Sequence, residues 1–292
     1  MTGVNAVDGD QGLGPTVRRM ILGTQLRRLR ERAELTRAEA GYSIRGSESK
    51  ISRLELGRVS FKERDVTDLL TLYGVHDQDE RDQFLSMVKQ SNQPGWWHRF
   101  NDLMPKWFED YVGLEEAAAR IQTYELQFVP GLLQTEAYAR TVVSHGQRHA
   151  VNDDVERRVA LRMRRQKVLM GRQAPRLWAI IDESVLHRPL GGREVLREQI
   201  DHILEWSTMP HVSVQVVPYD MSGFAAEGAF TLLRFAEAEL PNIAYIEHLA
   251  GALYLEKPDE IEVFSRAMDQ LAVNAATPDR SRQLLSKIRA EL

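Results

Sequence analysis

Apolar residues recur three and four apart through the first ninety or so positions, then give way to β-branched alternation. Over Thr16 to Arg32 they fall at Val17, Met20, Ile21, Leu22, Leu26 and Leu29, one face of an amphipathic helix. Thr36 reads as an N-cap, with Glu39 three residues on to complete a capping box, and opens a short helix ending near Ile44. Arg45-Gly46 is a turn. Ser47 caps a helix over Glu48 to Leu56, which Gly57 stops. Further helices are predicted over Lys62 to Tyr73, ended by Gly74, and over Asp79 to Lys89. Ser91-Asn92-Gln93-Pro94-Gly95 is the clearest breaker in the chain. The expected organisation is a leader over 1–17, a helical domain over 18–90, a linker over 91–95 and a second domain over 96–292.

Past the breaker, Trp96, Trp97, Phe100, Trp107, Phe108 and Tyr111 make an aromatic-dense opening. Helices are predicted over Tyr111 to Gln122 and Thr135 to Val143, flanking the turn Val129-Pro130-Gly131. A long basic helix is predicted over Asp153 to Met170. Arg176 to Ile181, Val212 to Val217, Phe230 to Phe235, Ile243 to Glu247 and Gly251 to Leu255 read as strands, the last two as a hairpin. A helix over Arg193 to Trp206 separates the first two, and helices over Pro258 to Asn274 and Pro278 to Leu292 close the chain. Strands linked partly by hairpins predict an α+β domain with a mixed or antiparallel sheet.

Composition narrows the function classes. The chain has 292 residues and no cysteine, which suits two domains and excludes a disulfide framework, a thiol nucleophile and thiolate metal sites. Absence of cysteine also fits a reducing, cytoplasmic setting. Apolar runs such as Leu177 to Ile181 are far shorter than the ~20 residues of a membrane helix. Residues 1–15 carry Asp8 and Asp10 and no apolar core, so they read as a floppy leader rather than a signal peptide. A formal net charge of −4 speaks against nucleic acid, until it is resolved along the chain. From Arg18 to Arg64, thirteen Lys/Arg face six Glu, a local +7 that leaves −11 for the remainder. The chain is electrostatically two objects.

Within the basic part, the helix at Arg37–Ile44, the turn, and the helix at Glu48–Leu56 have the helix-turn-helix layout. That unit needs small residues where its helices cross, supplied by Ala40 and Gly41, and apolar anchors behind the recognition helix, Ile51 and Leu54. Its front carries Glu48, Ser49, Lys50, Ser52 and Arg53. Lys or Arg suits guanine, Glu accepts from cytosine, and Ser serves either base. Arg37, in the first turn of the supporting helix, is placed for a phosphate.

The stretches Leu22-Gly23-Thr24-Gln25-Leu26-Arg27-Arg28-Leu29-Arg30, Leu35-Thr36-Arg37-Ala38-Glu39-Ala40 and Ser47 to Gly57 resemble the phage-repressor/Cro type (xenobiotic-response-element, XRE, family) of DNA-binding domain. The resemblance runs from about Leu22 to Val75 and implies a five-helix, lambda-repressor-like all-α fold. It also implies an ion pair between Arg30 and Glu55. The sequence departs from that family at Ala40-Gly41, where Leu-Ala is usual. The smaller pair either loosens the packing or is compensated by Tyr42 and Ile44. A second resemblance rests on Pro94-Gly95-Trp96-Trp97, Tyr111 to Glu115, Tyr124-Glu125 and Val129 to Thr135. These are similar to the C-terminal domain of actinobacterial WhiJ-like, antitoxin-like regulators. That likeness implies a partner class, a small protein encoded by an adjacent gene, and no chemistry.

Plainer readings cover the remaining signals. The arginines of Glu156 to Lys167 (Arg157, Arg158, Arg162, Arg164, Arg165, with Lys167) read as a solvated face or an acidic-partner site before a second nucleic-acid surface. Trp96, Trp97 and Trp107 read as a core seam between the domains, with a ligand pocket as the alternative. His145 and His149 lack a zincin carboxylate. Asp182-Glu183-Ser184 with His187 lacks a nucleophile elbow, and Gly191-Gly192 lacks the phosphate-loop lysine. No enzyme, metal site or cofactor is therefore expected. The sequence predicts a transcription regulator, repressor or activator, that binds a double-stranded DNA operator as a homodimer. Its C-terminal domain binds a small partner protein or, alternatively, senses a small molecule.

Overall fold

The computed structural model describes residues 14–146, 152–171, 173–220, 228–238 and 240–292. Two compact units emerge, one reaching to His98 and including Glu237–Leu240, the other comprising Arg99–Ala236 and Pro241–Leu292. The first holds five helices: α1 (Pro15–Arg32), α2 (Arg37–Ser43), α3 (Glu48–Glu55), α4 (Glu63–Leu72) and α5 (Gln78–Ser91). Their apolar faces meet in one core built on Leu22, Leu26, Ala40, Ile44, Ile51, Leu54, Val66, Leu69, Leu70, Phe84 and Val88. Helix α1 begins at Pro15, a residue suited to the first turn because the missing N–H has no partner there anyway. Thr16 and Val17, within the predicted helix though the expected leader runs to 17, are helical and buried. At the other end Asn92, read as linker, grips Phe61, accepting from its N–H at 3.2 Å and donating to its carbonyl at 2.7 Å.

The second unit contains α6 (Lys106–Ala117), β1 (Arg120–Glu125), α7 (Glu136–Gly146), α8 (Asn152–Gln166), β2 (Arg176–Asp182), α9 (Glu183–Leu186), α10 (Arg193–Trp206), β3 (Val212–Val217), β4 (Phe230–Arg234), β5 (Ile243–His248), β6 (Gly251–Leu255), α11 (Pro258–Asn274) and α12 (Pro278–Glu291). The six strands form one mixed sheet in the order β3-β2-β1-β4-β5-β6. Strands β1, β2 and β3 run parallel; β1/β4, β4/β5 and β5/β6 are antiparallel. The predicted hairpin is β5–β6. The predicted helix over Tyr111 to Gln122 is corrected: it ends at Ala117, and Gln122 lies in β1, between β2 and β4.

Side chains alternate across the sheet as strand geometry requires. Tyr124, Ile180, Val217, Phe230, Leu232 and Ala244 face α11, packing on Ile261, Met268 and Leu271. Ile121, Ala179, Ile181, Val214 and Val216 are buried on the opposite face. The edge at β3 is closed by the segment joining α11 to α12. Ala276 N–H donates to the Val216 carbonyl (2.9 Å), and Val216 N–H donates to Ser281 Oγ (2.9 Å).

Candidate nucleic-acid interface

Helices α2 and α3 are set against each other by local chemistry. Thr36 Oγ1 accepts from Glu39 N–H (3.2 Å), and Glu39 Oε2 accepts from Thr36 N–H (2.7 Å), the reciprocal capping box. The Ser47 hydroxyl accepts from Lys50 N–H at 3.2 Å and starts α3. At the crossing, a Cβ on Gly41 would stand 2.9 Å from the Ser47 carbonyl carbon. The departure at Ala40-Gly41 is therefore a close approach of backbones, not a loosened contact. Ile44 is buried beside it; Tyr42, at 87% exposure, compensates for nothing.

One carboxylate organises the unit. Glu55, at the end of α3, is 5% exposed. It accepts from Arg30 Nε (2.5 Å) and Nη2 (3.2 Å) on α1, and from Arg37 Nε (2.9 Å) on α2. Arg30 also donates from Nη1 to the Leu35 carbonyl at 2.7 Å, fixing the α1–α2 connection. The bond to Glu55 holds the Arg30 guanidinium above its ordinary range, against the opposing effect of burial. Arg37, assigned by sequence to a DNA phosphate, thus reaches α3 as well.

The front of α3 divides in two. Glu48, Ser49 and Arg53 are exposed, Ser49 and Arg53 one turn apart on one side. Among the described residues Arg53 makes a single long contact, Nε to the Ser49 carbonyl at 3.4 Å. Lys50 and Ser52 are half-buried, and Lys50 Nζ is held 2.6 Å from Asp65 Oδ2 on α4. A base contact from Lys50 is an exchange of one partner for another. That pairing was invisible in the sequence, because Asp65 follows the last basic residue of the stretch and gave no spacing signal.

Residues 21–84 match a helix-turn-helix domain family. Residues 108–287, more than half of the chain, match a family described as a domain of unknown function, DUF5753. The chain belongs to the DUF5753 family. No curated protein and no solved structure matches it significantly. This DUF5753 protein is a DNA-binding regulator by its N-terminal unit.

The DUF5753 domain redistributes the other sequence candidates. Trp96 and Trp97 meet edge to face (5.8 Å between centroids) in the first unit, whereas Trp107 lies on α6 in the second, against Phe108 at 5.9 Å. Asp182 takes both the N–H (2.9 Å) and the hydroxyl of Ser184, capping α9, while His187 Nε2 lies 3.1 Å from Glu183. Those four residues form two local side-chain pairs, and Ser184 and His187 meet through the backbone, the His187 N–H donating to the Ser184 carbonyl at 3.4 Å. His145 ends α7, with Nδ1 3.2 Å from the Thr141 carbonyl; His149 lies outside the described residues. Among the described residues no group of three or more acidic or imidazole side chains is placed to hold a metal, and no helix is long and apolar enough to cross a membrane.

The arginine-rich helix α8 is not simply a solvated face. Arg165 is buried, bonded through Nε and Nη2 to both oxygens of Glu115 (2.9 and 2.8 Å), and lies 4.9 Å from the Phe108 ring and 5.4 Å from Tyr111. Arg162 donates to Gln134 Oε1 at 2.7 Å. Burial pushes its pKa down to about 10, with the charge of Arg165 adding to the effect. Burial, with the charge of Glu247, pushes the Glu125 carboxyl up to about 7 against the pull of Arg162. Sequence reasoning met Glu115 and Glu125 only as part of a resemblance, and missed their charge roles and Glu247 altogether. An apolar-facing glutamate in a run of alternating β-type residues, Ile121-Gln122-Thr123-Tyr124-Glu125, was the available signal.

Proposed function

We propose that this protein is a sequence-specific, homodimeric regulator of the XRE type that reads a double-stranded DNA operator through α3. The observation that carries the reading is the exposed Ser49/Arg53 side of a capped, rigidly supported helix. Arg53 contacts a guanine, and Ser49 and Ser52 contact neighbouring base edges. Glu48 accepts from a cytosine amine, and Lys50 reaches DNA by leaving Asp65. Arg37 approaches a phosphate with Nη groups while Glu55 holds its Nε. Two protomers engage half-sites about one helical turn, ~34 Å, apart. Mapping bound genomic sites gives the half-site. Arg53→Ala then costs about 1–3 kcal/mol on the cognate sequence and relaxes preference at one base pair. Unchanged affinity and preference in that variant overturn the reading.

We also propose that the DUF5753 domain controls the DNA-binding half by binding a small protein encoded by an adjacent gene, as in WhiJ-like, antitoxin-like regulators. The net −5 of residues 99–292, 23 Lys/Arg against 28 Asp/Glu, supports a basic partner surface. Co-purification with the neighbouring gene's product in fixed stoichiometry tests it. The second reading, a small-molecule sensor, is favoured by a groove on the sheet.

A further inference from the structure

The sheet face that packs on α11 is graded from cationic to polar to apolar. At the end where β1 and β2 begin and β4 finishes, Arg176 pairs across to Arg120, and Arg120 across to Arg234. One step along lie Ser213, Trp178, Gln122 and Leu232; the next row, Gln215, Ile180, Tyr124 and Phe230, enters the core. Adjacent strands lie about 4.8 Å apart, so three guanidinium-bearing positions fall within about 10 Å. Like charges directly opposite one another destabilise a sheet, and among the described residues none of the three forms an ion pair with a carboxylate. Arg234 is held by neutral groups instead, Nε on Gln122 Oε1 (2.8 Å) and Nη2 on Ser265 Oγ (3.1 Å). Burial and the charge of Arg120 push its pKa down; Asp269 acts the other way.

Arg120, Arg176, Trp178, His211, Ser213 and Gln215 line an open groove beside this row, completed by Leu177, Pro210 and Val212. Among the described residues no carboxylate lines it. Its aromatic wall is fixed: Trp178 Nε1 donates to Gln215 Oε1 (2.8 Å), and Gln215 Nε2 donates to the carbonyls of Ala272 (3.1 Å) and Ala276 (3.0 Å). His211 is held at the rim, Nε2 3.0 Å from the Leu169 carbonyl. A purely solvated surface has no need of an immobilised indole beside unneutralised arginines.

We propose that this groove binds a small organic polyanion. Phosphate or carboxylate groups sit on Arg120 and Arg176, which offer planar, forked donors, and a planar ring lies against Trp178. The charge of Arg234 deepens the site. This inference goes beyond the DNA-binding reading, and its test uses no operator. Binding of inorganic pyrophosphate and of ADP to the full chain is measured calorimetrically at 0.15 M salt. ADP is expected to bind about tenfold tighter than pyrophosphate, the gain that ring stacking supplies. The Arg120→Gln/Arg176→Gln variant is expected to weaken both probes at least about tenfold and to melt higher than the parent without ligand, because the repulsion is relieved. Trp178→Phe keeps pyrophosphate binding and narrows the ADP advantage, which serves if the double variant folds poorly. Arg53→Ala leaves both probes unchanged. Absence of saturable binding by either probe, or binding unaltered in the double arginine variant, overturns the site. Equal affinities for the two probes overturn the ring contact. Loss of nonspecific DNA affinity in the double variant, with no ADP binding in the parent, overturns the proposal in favour of a nucleic-acid surface.

Discussion

Two oxygens of Glu55 accept from two arginines on two different helices, and the consequence is one of charge balance. Removing that carboxylate leaves Arg30, 7% exposed, as a buried cation with the half-exposed Glu31 at 3.5 Å in place of its close partner. Breaking one side of such a pair costs about 3–5 kcal/mol. Glu55→Gln is therefore expected to lower the urea midpoint of the N-terminal unit steeply, whereas a change below about 1 kcal/mol would show that solvent reaches the site. Glu125 is the opposite case. Its carboxyl titrates at about 7 in the folded protein, above its ordinary 4.5. Its contribution is therefore fully favourable below about pH 4.5 and is lost as pH rises through about 7. Glu125→Gln is expected to stabilise the fold by roughly 1–3 kcal/mol at pH 8 and to leave it unchanged at pH 4, as read by urea unfolding at both values. Equal effects at the two pH values would assign the gain to packing instead.

At the level of elements, the helix-turn-helix is a contact between backbones. Gly23 brings α1 so near α3 that a Cβ there would stand 2.4 Å from the Leu54 carbonyl oxygen, and Gly41 does the same for α2. Gly41→Ala is expected to destabilise the unit by about 1–3 kcal/mol and to weaken DNA binding in proportion; a neutral melting temperature would mean that the helices can part without loss. These helices were legible in the sequence because Thr36, Glu39, Ser47 and Gly57 mark their ends chemically, and caps are local signals. Strand β1 was not. Glu116-Ala117-Ala118-Ala119 offers no breaker and strong helix formers, so the periodicity seemed to continue; pairing with β2 and β4 decides the conformation from far along the chain. The arginine row was equally hidden, since Arg120, Arg176 and Arg234 meet only through strand register. Lys50 shows a third limit: its place on the front of α3 was predictable from helical phase, but its partner belongs to another helix.

For the whole molecule, the division of charge is the property that composition alone conceals. The helical part, residues 14–98 at a net +3 with its +7 stretch at the front, and residues 99–292 at a net −5 oppose each other toward any polyanion. A fragment covering residues 14–98, once its helical content is checked, is expected to bind nonspecific DNA more tightly than the full chain at low salt, with the difference shrinking as salt is raised. Equal affinities at low salt would mean that the acidic half exerts no field at the DNA. The C-terminal helices have a further role at this scale. Because Ala276 and Ser281 occupy the hydrogen-bonding groups of Val216, the final stretch of chain works as a seal on a parallel edge that would otherwise present unpaired amides to its neighbours. A premature stop or a proteolytic clip after Ala275 would thus do more than remove a helix: it would bare the backbone groups of Val216 on the β3 edge, trading a lost fold element for a gained tendency to pair with other chains.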